Sequence, residues 1–233
     1  MCGRYVSPDE AAIERHFRLR PRDLRLFIRR FNVAPTMAIP IVVSDGEHWS
    51  LLSARWGYIP SWWKETQAPT RTHLARSEDL WTRPMWRTAI RRSRCLIPME
   101  GWYEWQESHP PEQGATRPTK RKQPYFIHPT HGSIVAVAGL LDRWQTATGE
   151  ELLSCAALSR ASTDRLSFVH DRMPVVLDEE GSMAWLSAHT SMDEIRVLMS
   201  RVKIALSYYA VSLRVNNTRN DDEELISAIG HAL

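Results

Sequence analysis

The sequence predicts a single α+β domain built mainly on antiparallel sheet, and three observations predict it. Strand-like runs come in neighbouring pairs joined by turn signals, as hairpins require. Helical stretches are short and scattered between them. The alternating βαβ rhythm of a nucleotide-binding fold is absent, and so are GxGxxG and GxxxxGK[ST]. The 233 residues suit one domain spanning 1–233, since no repeat or low-complexity linker divides them.

The elements follow in order. Residues 8–19 read as a helix, with Ser7 as N-cap and Pro8 at its first position. Residues 31–35 read as a turn leading into a strand at 39–43. Its hairpin partner, 49–56, follows the turn signal Asp45-Gly46. Residues 82–92 have helical spacing with Pro84 early, and 95–98 read as a buried strand. The strand-like Gly101–Trp105 finds a partner in 124–128 across a polar loop, 106–123, rich in Pro and Lys. Residues 134–141 and 152–158 form another hairpin pair, and 163–168 a short helix before His170. Helices are expected at 182–189 and 191–202, then an Asn-rich stretch and a last short helix.

Composition narrows the function classes. Hydrophobic residues make up 43% and charged residues 24%, an ordinary globular balance. Three cysteines at wide spacing cannot frame a small disulfide-stapled fold, and no CxxC pair suggests zinc. No run is long enough for a membrane span, so a soluble protein of a reducing compartment is expected. The net charge is +3, but its distribution is uneven. Arg15, Arg18, Arg20, Arg22, Arg25, Arg29 and Arg30 crowd one segment, and Arg83, Arg87, Arg91, Arg92 and Arg94 another. Such clusters are either phosphate-binding footprints or solvated faces. Trp62-Trp63, in a loop-like stretch after Pro60 and Ser61, offers paired indoles of the kind a base-stacking surface uses.

Three residues could carry chemistry. Cys2, once Met1 is removed, presents an amine and a thiol on adjacent carbons. The amine condenses with an aldehyde to a Schiff base, and the thiolate closes a five-membered thiazolidine ring. Both groups titrate near neutrality, at about 8 and about 8.5. Glu104, flanked by Tyr103 and Trp105, is either a desolvated general acid/base or a solvent-facing residue of a half-exposed strand. His170, beside Asp171 and Arg172, is either catalytic or structural.

These motifs, in this order, resemble the SRAP (SOS-response-associated peptidase) family, whose members bind abasic sites in single-stranded DNA. The resemblance runs nearly end to end. It is carried by Met1-Cys2-Gly3-Arg4, Arg30–Pro35, Trp56–Pro60 with Trp62-Trp63, Ala75-Arg76 and Gly101–Trp105. Gln123–Tyr125, Ala138–Leu140, His170–Pro174 and Val211-Ser212 with Asn217 complete it. It implies a barrel-like sheet core with surrounding helices and a positive channel. It also implies Cys2 as nucleophile, Glu104 as acid/base, and His170 as the histidine that forms and reverses the Schiff base. Arg4, Arg76 and Arg172 are expected on phosphates, and Trp62 and Trp63 at the bound strand. Asn32, Trp105 and Asn217, within the same motifs, are expected to line the DNA surface. No metal or organic cofactor is expected. A monomer is expected, cytoplasmic and nucleoid-associated, or nuclear in a eukaryote.

One departure stands out. Where the family usually has Asn-Ala-Arg, this chain has Leu74-Ala75-Arg76. A carboxamide that could hydrogen-bond an opened sugar is replaced by a side chain with no polar atom. Three functional readings follow: covalent capture of abasic sites, an N-terminal-nucleophile or cysteine peptidase, and non-covalent single-strand binding.

Overall fold

The computed structural model describes residues 3–21, 23, 25–106, 122–146 and 148–230. The chain begins with β1 (Arg4–Ser7), α1 (Glu10–Phe17), β2 (Arg30–Val33), β3 (Ala38–Ser44), β4 (Trp49–Trp56) and β5 (Leu74–Arg76). Two one-turn helices follow, α2 (Pro84–Arg87) and α3 (Ala89–Arg92), then β6 (Arg94–Met99) and β7 (Gly101–Gln106). Next come β8 (Gln123–Pro129), β9 (Val135–Gln145), β10 (Glu151–Ala161), α4 (Asp164–Ser167), β11 (Arg172–Pro174) and β12 (Val176–Leu177). The last elements are α5 (Glu179–Leu186), α6 (Met192–Ser200) and β13 (Leu206–Ala210), with 3-10 turns at Leu213–Asn216 and Glu223–Ile226.

Two sheets organise these strands. One has the order β13-β8-β7-β1-β2, with every pairing antiparallel. In the other, β10-β4-β3-β6-β9 closes on itself through a β9–β10 ladder and forms a five-stranded barrel, with β5, β11 and β12 paired to its rim. The expected antiparallel pairs 39–43/49–56, 101–105/124–128 and 134–141/152–158 are all present, with Ile41 opposite Leu52, Glu104 opposite Tyr125 and Ala156 opposite Leu140. Among the described residues, only β10 runs parallel to neighbours, β4 and β5.

Side-chain alternation sorts the barrel residues into two sets. Val42, Leu96, Ala138 and Leu158 pack with α1, α3, α5 and α6. Ile39, Ile97, Val137 and Cys155 pack with Tyr5, Val33, Trp102 and Ile127 of the five-stranded sheet. The sheet therefore lies over the barrel, and the seam between them is apolar. Gly101 lets β8 close on β7: a Cβ there would lie 2.5 Å from the Ile127 carbonyl oxygen.

Several expectations are corrected. The N-cap of α1 is Asp9, whose carboxylate accepts the Ala12 N–H at 2.7 Å; Ser7 is buried at the end of β1. Residues 4–7 and 30–33, short and mixed in character, are strands because they pair with each other, and 4–7 also with β7. Residues 82–92 form two separate helical turns, and β13 follows α6 where no strand was expected. The last short helix is a 3-10 turn. Most of the polar loop, 107–121, lies outside the described residues. Part of the first arginine cluster is neutralised. Arg25 pairs with Glu14, Arg29 with Glu100 and Glu223, and Arg30 with Asp221 of the acidic C-terminal stretch. Arg94 is equally committed, donating to the carbonyls of Ile90, Trp185 and Ser187.

Candidate functional site at the sheet–barrel seam

The seam explains the state of Glu104. Trp102, Glu104 and Gln106 alternate to one face of β7. Trp102 on that face, Ile127 from β8 and Tyr5 from β1 are buried against the barrel. Glu104 is carried into the same interface and is only 1% exposed, so the solvent-facing alternative is wrong. Burial raises its pKa to about 7, and the nearby negative charge of Asp171 pushes the same way. A carboxyl group of this kind holds and releases a proton at neutral pH. Cys2 lies outside the described residues. Two residues further on, Arg4 pairs with Tyr103, so the described chain enters the sheet beside Glu104.

His170 reaches the seam on the segment after α4. Leu166 and Val169 are buried in the seam's apolar cluster and fix that segment. The His170 Nδ1 lies 2.9 Å from the Arg172 backbone N–H and 2.8 Å from Asp171 Oδ1. One nitrogen cannot accept from the first and donate to the second at once. Burial holds the imidazole pKa below its ordinary value, with Lys122 reinforcing and Asp171 opposing. The lowered pKa favours the uncharged ring, and in that form Nδ1 can accept from the Arg172 N–H. Protonation at Nδ1 would exchange that bond for an ion pair with Asp171.

A second group of expected residues gathers on the other face of the five-stranded sheet. Asn32 is buried, and its amide donates to the carbonyls of Val215, Asn217 and Asn220 while its oxygen accepts from Arg4. Arg4 also donates to the Val215 carbonyl, and the Trp105 indole N–H to Asn216 Oδ1 at 2.7 Å. Asn32 thus presents the 213–220 segment to solvent and is itself enclosed. Arg172 is also occupied. Its guanidinium forms a forked pair with Glu78 at 2.6 and 3.0 Å and donates to the Ser159 carbonyl. That hydrogen-bonded partner holds the Glu78 pKa down at about 2. A phosphate at Arg172 would have to displace this carboxylate, which no local sequence signal announced. Arg76 is exposed at the end of β5. Trp62 is 53% exposed, whereas Trp63 is tied down through Gln67 and Trp144.

Leu74 is 8% exposed and packs in the cluster that contains Leu166 and Val169. The His73 carbonyl accepts from the Trp56 indole, and its ring meets that indole edge-on. Cys95 and Cys155 are buried, and burial raises both thiol pKa values, which leaves them protonated and unreactive. Among the described residues, no group of three or more His, Cys, Asp or Glu side chains converges as metal ligands would.

The chain is similar to proteins of one family. The family described as SOS response associated peptidase (SRAP) matches residues 1–218. The abasic site processing protein YoqW of Bacillus subtilis is 32% identical over 200 residues, 85% of each chain. The abasic site processing protein HMCES of Xenopus tropicalis is 27% identical, covering 85% of this chain and 66% of that protein. A Bacteroides thetaiotaomicron protein of known structure shares the fold with a TM-score of 0.81 at 21% identity, covering 98% of this chain and all of that one.

Proposed function

Because the chain belongs to the SOS response associated peptidase family, we propose that it processes abasic sites in single-stranded DNA by capturing them covalently at Cys2. The relatives' names support the lesion as target. The observation that carries the chemistry is Glu104: a carboxyl buried at the seam, with a pKa near 7, next to where the chain enters β1.

An abasic sugar is a cyclic hemiacetal in equilibrium with an open aldehyde. Protonated Glu104 assists opening by giving a proton to the ring oxygen as the hydroxyl proton leaves. The Cys2 amine, freed by loss of Met1, adds to the aldehyde, and water departs to leave an imine. The thiolate then adds to the imine carbon while the nitrogen takes up a proton, closing a thiazolidine; one water is lost overall. Neutral His170 suits proton transfer during imine formation and its reversal. The product would shield the lesion. A protein with this task works wherever DNA is, at a nucleoid or in a nucleus.

Intact-mass analysis tests the reading directly. With an oligonucleotide carrying one abasic site, the chain lacking Met1 should give the sum of the two masses less one water, and Cys2→Ser should give none. Separate masses from the properly trimmed wild-type chain would sink the proposal. Salt-sensitive binding that ignores Cys2 would indicate a non-covalent binder.

Leu74 sets the second test. Its burial beside the residues that hold His170 makes the wall there apolar. Cross-linking is expected to survive in the natural chain, because the aminothiol does the covalent work. Leu74→Asn should speed capture or prolong the product's lifetime by about fivefold or more, equivalent to one hydrogen bond of ~1 kcal/mol. It should also cost some stability through the lost apolar contact. Time courses on abasic single strands check this, and an unchanged rate and lifetime would remove the role given to the position.

A further inference from the structure

One feature of the seam has no place in the chemistry above. Phe168 is 54% exposed, although it sits between the buried Leu166 and Val169 and two residues before His170. Its backbone is fixed, because its carbonyl accepts the Gln106 side-chain N–H at 3.0 Å. Its ring meets Tyr125 edge-to-face, with centroids 6.4 Å apart at 81°. Tyr125 in turn packs edge-on against Tyr208, at 5.9 Å and 69°. Tyr125 is the residue directly opposite Glu104 in the β7–β8 ladder. Gln106 is the next residue on Glu104's own face of β7. A braced aromatic row, Tyr208–Tyr125–Phe168, therefore has its middle ring opposite the acid/base and ends at an open ring.

We infer that Phe168, backed by Tyr125 and Tyr208, is a stacking platform for a nucleobase next to the captured sugar. This rests on the reading of the site as one that takes abasic single strands. An abasic residue has no base to stack, so its neighbours carry whatever stacking energy holds the strand in register. A π-face accepts any base, which suits a lesion met in every sequence context. Scattered exposed aromatics are ordinary on protein surfaces. Phe168 differs because its backbone is tied to β7, its ring is braced from behind, and the reacting groups adjoin it.

The test separates stacking from capture. Oligonucleotides carrying a central tetrahydrofuran residue, which cannot open to an aldehyde, are titrated with wild type, Phe168→Ala and Phe168→Trp. One probe has bases on both sides of the tetrahydrofuran; a second has further tetrahydrofuran residues there. Phe168→Ala should weaken binding of the first probe by about tenfold and leave the second unchanged, while Phe168→Trp keeps wild-type affinity or improves on it. Equal affinities of Phe168→Ala and wild type for the base-flanked probe would overturn the inference. So would an equal loss on both probes. Capture of a true abasic site by the wild type is scored separately. Capture without any effect of Phe168→Ala on binding removes the platform alone. Absence of capture removes the underlying reading and leaves the paired titrations to judge the platform.

Discussion

Glu104→Gln is expected to make the protein more stable above neutral pH and at least about 100-fold slower in capturing abasic sites. The stability half follows from linkage. The folded protein holds the carboxyl at a pKa of about 7 against 4.5 for an unperturbed glutamate. Between those values the folded state binds more protons than the unfolded one, so stability falls as pH rises. The loss begins near pH 4.5 and is complete just above pH 7. A shift of this size corresponds to about 3 kcal/mol. Gln keeps the shape and carries no charge at any pH, so the variant should match the wild type near pH 4 and exceed it by about 3 kcal/mol at pH 8. Denaturant titrations at both pH values check this, and parallel curves would show that the carboxyl is not desolvated. The activity half follows from the loss of a proton donor, which typically costs 10²- to 10⁴-fold. The capture rate of the wild type should rise as the Cys2 amine deprotonates and fall as Glu104 ionises. The variant should lack the falling arm. A variant with wild-type rate and pH profile would remove Glu104 from the chemistry.

Asn32→Ala should cost about 3 kcal/mol and loosen the 213–220 segment without touching the seam. The buried Asn32 amide serves three backbone carbonyls and accepts from Arg4. Removing it takes donors from the Asn217 and Asn220 carbonyls and the acceptor from Arg4, while the Val215 carbonyl keeps only Arg4. In a chain of this size the melting temperature should drop by roughly 6–12 °C. Hydrogen exchange should accelerate first in 213–220. Asn32→Asp separates the contributions: it keeps the acceptor for Arg4 and loses the donors, so it should be nearly as damaging as Ala. A melting temperature within a degree of the wild type for Asn32→Ala would refute the hub role.

How much was legible in the sequence depends on whether the cause is local. The hairpin of 39–43 with 49–56 was readable because the turn signal Asp45-Gly46 joins two strand-like runs, and the structure pairs Ile41 with Leu52 across it. The residues of β1 and β2 carry little strand signal of their own. They become strands through a ladder with each other, and β1 through a second ladder with β7, nearly 100 positions away in the chain. The N-cap at Asp9 was misplaced to Ser7 because both residue types cap helices well, and only the burial of Ser7 in β1 separates them. The arginine cluster around residues 15–30 suggested a phosphate footprint. Its neutralisers, Glu100, Asp221 and Glu223, are distant in sequence and could not be assigned to it.

The order and types of the chemical groups, from the aminothiol at Cys2 to Glu104 and His170, belong to the sequence alone, because reactivity of that kind is written in residue identity. Which of those groups is tuned, and which is spent, was decided by tertiary packing. Glu104 titrates near neutrality because a sheet face closes over a barrel, Arg172 is committed because Glu78 arrives from another strand's end, and Phe168 is open while Leu166 and Val169 beside it are buried. Desolvation and ion pairing act through space over a few ångströms, and the spacing of residues along a chain does not record that distance.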